Sequence, residues 1–143
     1  MTNSEHQARA TQMTQEVPHA LALGMTLLSV EAGRGVMSVP WRADLVSDLR
    51  VGVIAGGVVT ALLDHCAGLA VSTAGDGMAF GTATLDLRID YMRPAAPRSG
   101  VIAEAYCYRL TRTIAFVRAQ AYDLDPDDPI ATAQAAFIVR RPE

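Results

Sequence analysis

The chain has 143 residues, near the usual size of one domain, and folding a chain of that length buries roughly 68% of the surface its unfolded form exposes. Half of the residues are hydrophobic, 19% are charged and the formal net charge is −3, which excludes a disordered chain and a nucleic-acid binder working through a basic patch. All twelve basic residues are Arg, which removes Schiff-base lysines, lysine-bound pyridoxal phosphate and a P-loop lysine together.

Residues 1–18 form a polar segment, expected to be a loosely held helix with Ser4 as N-cap and Pro18 at its end, ahead of one domain over residues 19–143. The segment has no apolar signal core, so export is not expected. Cys66 and Cys107 lie in apolar runs, without CxxC spacing or a His pair at ligand spacing. Neither a disulfide framework nor a zinc site is expected, and the natural compartment is the reducing cytoplasm.

A hairpin is predicted next, with strands at 25–30 and 36–41 around a turn at Gly33-Arg34-Gly35. Residues 56–73 read as a helix. The 25 residues between Arg50 and Asp76 include one charged side chain, Asp64, so this helix is apolar nearly all round and should be buried. A membrane span is the rival reading, and Asp64, His65 and several glycines within the segment argue against it.

The clearest strand is 82–92, where Ala83, Leu85, Leu87, Ile89 and Tyr91 alternate with Thr84, Asp86, Arg88 and Asp90. Strands at 101–110, 114–123 and 130–139 follow across short connections, which implies an antiparallel meander. One face of these three is small: Ala103 and Ala105, then Ala115, Ala119 and Ala121, then Ala131, Ala133 and Ala135. A helix can sink into such a trough. The expected class is α+β, a curved antiparallel sheet of about five to six strands wrapped around a long buried central helix.

Two motifs make the pattern specific. Gly56-Gly57-Val58-Val59-Thr60-Ala61-Leu62-Leu63-Asp64, followed by Thr84-Leu85-Asp86-Leu87-Arg88-Ile89-Asp90-Tyr91-Met92-Arg93-Pro94-Ala95, resembles the acyl-CoA thioesterases of the PaaI-like hotdog family over residues 20–140. In that family a Gly-Gly pair opens the helix, an acid follows two turns later, and a strand ends in Tyr-x-x-Pro-Ala. Many members carry His before the Gly pair and Asn upstream; here Ala55 precedes Gly56 and the one Asn is Asn3.

The resemblance implies hydrolysis of an acyl-CoA thioester with no metal and no cofactor, coenzyme A being part of the substrate. Backbone N–H groups of Gly56 and Gly57, at the positive end of the helix dipole, would hold an oxyanion, or the glycines only allow the helix to start close to the sheet. A carboxylate in a buried helix is costly unless paired or functional, so Asp64 is read as general base, against nucleophile or a structural Asp. Gly57 and Asp64 share a helix face about 10 Å apart along the axis, so acting on one carbonyl requires two helices and a homodimer, or a dimer of dimers.

Adjacent helix positions point about 100° apart, so Asp64, His65 and Cys66 form no triad among themselves. Thr60 is a candidate to orient a water, or a helix threonine bonded to its own backbone. By analogy with the family, Arg93 and Arg112 are candidates for coenzyme A phosphates, and Leu63, Met78 and Phe80, with Leu62, for the acyl pocket. No nucleic-acid or membrane partner is expected. A non-catalytic acyl-CoA sensor and a hydratase on the same fold remain as alternatives.

Overall fold

The computed structural model describes residues 2–75 and 81–140. Two short helices, α1 (Asn3–Gln15) and α2 (Pro18–Leu23), precede the hairpin β1 (Thr26–Glu31) and β2 (Arg34–Val39); the long helix α3 (Gly56–Ser72) follows, then β3 (Thr82–Tyr91), β4 (Val101–Leu110), β5 (Ile114–Tyr122) and β6 (Ala131–Val139). The six strands make one antiparallel sheet in the order β1-β2-β4-β5-β6-β3, with α3 against one face. This is the α+β hotdog architecture that the sequence predicts.

The alanines form the expected trough in transverse rows. Ala103, Ala121 and Ala131 are register partners, as are Gly35, Ala105, Ala119 and Ala133. A Cβ on Gly35 would stand 2.8 Å from Leu69 Cδ2, so α3 sinks this far only because the sheet offers no side chain there. Met37, Leu62, Leu63 and Leu69 are fully buried between the layers, each contributing about 2 kcal/mol on an area basis.

Four expectations are corrected. Strand β3 pairs with β6 and not with β4, so only β4, β5 and β6 form a meander and β3 lies at the sheet edge. The hairpin turn is Ala32-Gly33, with Gly33 at φ +71°, so β2 begins two residues earlier than predicted. Pro18 starts a helix instead of ending one, because a first-turn proline loses no hydrogen bond there. Helix α1 is capped by Thr2 and Glu5 in a reciprocal box, not by Ser4, and it is held: Ala10 belongs to the core and His6 and Thr14 are buried.

A further departure bears on function. The alternation in β3 breaks at a bulge between Thr84 and Asp86. Leu85 is left 56% exposed and Thr84 turns onto the helix side, where its hydroxyl bonds Asp64.

Candidate active site

The first turn of α3 is presented by a folded loop. The Trp41 indole donates to the Gly52 carbonyl at 2.8 Å, Val46 and Ile54 form a bridge, and the Ala55 amide donates to Leu45 O at 2.9 Å. Ala55 is the N-cap and has no side-chain oxygen to offer the helix amides. Val58 N–H turns back to Ala55 O at 3.0 Å, whereas the Gly56 and Gly57 amides have no acceptor among the described residues.

Both glycines are exposed, and among the described residues beyond its chain neighbours and the helix's own backbone no atom lies within 4 Å of where a Gly57 Cβ would stand. Packing against the described residues therefore does not account for glycine at 57. Two free donors at the positive end of a helix of 17 residues suit a developing negative charge.

The Gly56 carbonyl is held from two sides. Thr60 Oγ1 lies 3.1 Å and the Tyr91 hydroxyl 2.9 Å from it, and the two hydroxyls also bond each other, so their two protons serve these three contacts as a relay onto the carbonyl. Thr60 thus reaches the local backbone acceptor that the sequence left open, and its hydroxyl is engaged in this cluster. Beside Gly56 opens an apolar cavity of about 420 Å³ walled by Val53, Ile54, Val59, Met92, Ile130 and the Tyr91 ring. A larger groove, about 860 Å³, lies on the opposite face of the sheet among Arg34, Arg88, Arg118 and Glu104, away from these groups.

Asp64 lies two turns along α3 and is half-buried, not enclosed as the sequence suggested. Thr84 Oγ1 donates to its Oδ1 at 2.8 Å, and Asp64 forms no ion pair among the described residues. One carboxylate oxygen is oriented by a neutral donor while the other stays able to take a proton from water.

The remaining candidates separate. His65 Nε2 donates to Met13 O at 3.1 Å, tying α1 to α3, and burial lowers its pKa. Cys66 points its thiol at Gly35 O and Ala103 O, and burial pushes it up to about 12, so it is packing and not a nucleophile. Leu63 is enclosed in the core with no face on the cavity. Met78 and Phe80 lie outside the described residues.

Arg93 makes a bidentate pair with Asp123, at 2.7 and 3.1 Å, and also donates to the carbonyls of Pro94 and Asp128. Its Nε lies 3.3 Å from Asp128 Oδ1. The guanidinium holds the Asp123 carboxyl well below the usual range, helped by the Ala96 and Leu124 amides. This clamp joins the β3–β4 crossover to the β5–β6 loop, and both terminal nitrogens are engaged, while the buried Nε–H faces Asp128 as an ion pair without a hydrogen bond among the described residues. Arg112 is exposed in the β4–β5 turn, which follows Leu110, and Leu110 Cδ2 lies 2.9 Å from where a Gly75 Cβ would stand, so the turn is at the C-terminal end of α3, the opposite end from Gly57. Sequence reasoning missed Tyr91 and Thr84 as parts of the site; Tyr91 stood in the quoted motif as a strand residue only.

Comparison with known proteins agrees with this architecture. A structure from Pseudomonas aeruginosa superposes with a TM-score of 0.83 and 34% identity, covering 93% of this chain and 98% of that one. A point mutant of the phenylacetic acid degradation protein PaaI from Thermus thermophilus gives 0.72 and 30%, covering 85% and 98%. The sequence profile of the thioesterase superfamily matches residues 51–130, more than half of the chain and all of the segment from the helix through β5. The chain belongs to the thioesterase superfamily. A Halobacterium salinarum protein carrying an esterase name is 29% identical over 127 residues, covering 83% of this thioesterase-superfamily chain and 82% of its own length. PaaI from Escherichia coli shares the fold at a TM-score of 0.83. Membership supports thioester hydrolysis as the class of reaction.

Proposed function

We propose that this protein hydrolyses an acyl-CoA thioester to the free acid and coenzyme A. Asp64 takes a proton from water as its oxygen bonds to the acyl carbon; the carbonyl oxygen becomes an oxyanion held by the Gly56 and Gly57 amides. The C–S bond then breaks and the thiolate leaves, to be protonated as coenzyme A. The observation that carries this reading is the pair of amides at Gly56 and Gly57, unpaired among the described residues, open to a substrate and flanked by an apolar cavity. The carboxylate supplies the base and the amides stabilise the oxyanion, so the reaction is proposed to need no metal or other cofactor.

Gly57 and Asp64 stand about 10 Å apart along one helix, so the site is drawn from two protomers of a homodimer. Edge strand β3 supports that assembly, with one row of its backbone groups unpaired in the sheet of the described residues and Leu85 and Met92 exposed beside it. Among the described residues no helix is long and apolar enough to cross a membrane, and both cysteines are free thiols, in keeping with the proposed cytoplasmic setting.

The test is a panel of acyl-CoAs, from short to aromatic and medium-chain, assayed with a thiol reagent with and without a chelator. Steady thiol release in both conditions is the expected result. Tight binding without release points instead to a non-catalytic acyl-CoA binding protein, and a change at the enoyl double bond with the thioester intact to a hydratase.

A further inference from the structure

The carbonyl of Gly56 and the amide of Gly57 are the two ends of one planar peptide group, so what is done to one end is felt at the other. The Tyr91 hydroxyl lies 2.9 Å from that carbonyl and Thr60 Oγ1 3.1 Å, and the two hydroxyls bond each other. A relay in which Thr60 donates to Tyr91 and Tyr91 to the carbonyl uses each proton once. The Tyr91 ring packs 3.7 Å from where a Gly56 Cβ would stand. We propose that Tyr91 is a positioning residue for the oxyanion site: its hydroxyl polarises and orients the Gly56-Gly57 peptide, making the Gly57 N–H a stronger, better-aimed donor. The inference rests on the reading of that amide as the oxyanion donor.

Chained hydrogen bonds strengthen one another by perhaps 10–30% per bond, and a donor fixed before reaction costs no reorganisation when charge develops. Tyr91 is itself fixed by the sheet. It is the last residue of β3, in register with Ala131, and the next amide, Met92 N–H, bonds Ile130 O at 2.8 Å. Two residues on, Arg93 is clamped by Asp123. The edge strand thereby holds the first turn of the helix by a hydroxyl that neither the helix nor the core requires.

The experiment uses the whole chain with its eleven glycines labelled with nitrogen-15. In Tyr91→Phe the Gly57 amide proton should move upfield relative to the other helix glycines. Thiol release should show kcat lower by about tenfold with KM within about twofold, and the melting temperature unchanged. Thr60→Val, which leaves Tyr91 in place, should give a smaller shift in the same direction. An unmoved Gly57 resonance overturns the proposal, as does a loss of kcat matched by a rise in KM and a fall in melting temperature. If the unaltered protein releases no thiol from any acyl-CoA, the catalytic reading fails, and the Gly57 resonance still decides the polarisation.

Discussion

Two glycines in the same chain do opposite jobs, and alanine separates them. At position 35 a Cβ would collide with Leu69 at 2.8 Å, so Gly35→Ala pushes the helix off the sheet and should lower the melting temperature by several degrees. At position 57 there is open space, and Ala is a better helix former than Gly by about 1 kcal/mol, so Gly57→Ala should leave stability level or raise it. If the space over Gly57 admits a substrate carbonyl, the same change slows thiol release by about tenfold or more. Asp64→Asn is the companion change: Thr84 can still donate to the amide oxygen, so the fold should hold while turnover falls by about 100-fold or more. Melting and turnover measured on one preparation of each variant check both outcomes, and a folded Asp64→Asn variant with full turnover removes Asp64 as base.

Among the elements, α1 is the one whose attachment should sense pH. His65 bonds Met13 O as a neutral ring, and burial, outweighing the raising effects of that bond and of the Asp64 charge, leaves its pKa below the ordinary 6.5, with His19 lowering it slightly further. The unfolded chain then takes up the proton first. The contribution of His65 is fully present above about pH 6.5 and is lost as pH falls from there towards the depressed folded value. Melting curves between pH 7.5 and 5.5 should fall towards acid in the unaltered protein and flatten in His65→Gln, whose amide can still donate to Met13 O; parallel curves would contradict this.

The elements also show what a sequence can reveal. Helix α3 was legible from its nearly unbroken apolar run, and β4, β5 and β6 from the period-two spacing of their alanines, which in β4 holds through Ala105, ahead of a bulge between Cys107 and Arg109. The place of β3 was not legible, since pairing with β6 joins residues some fifty positions apart and local patterning carries no trace of it. The bulge after Thr84 was hidden for a related reason: one extra residue leaves composition unchanged and reverses every side chain on one side of it. That slip put Thr84 on the wet face in the sequence reading and concealed the partner of Asp64. Asp64 and the glycine pair were legible from their helix alone, whereas Tyr91 and the Arg93–Asp123 clamp depend on contacts between distant segments.

In the proposed whole molecule, one chain carries two halves of a site that meet only in a pair. The free edge of β3, with Leu85 56% and Met92 60% exposed beside it, is where a second copy would continue the sheet under two-fold symmetry. Complementation tests this most directly. Co-expressing Gly57→Val with Asp64→Asn, each inactive as a homodimer, produces mixed dimers in which one site combines the intact Gly57 of one chain with the intact Asp64 of the other. Random pairing makes half of the dimers mixed, each with one of its two sites restored, so thiol release at about a quarter of the unaltered level is expected. No recovery in a co-purified mixed dimer, with both variants folded, would contradict it and place Gly57 and Asp64 of each site in a single protomer.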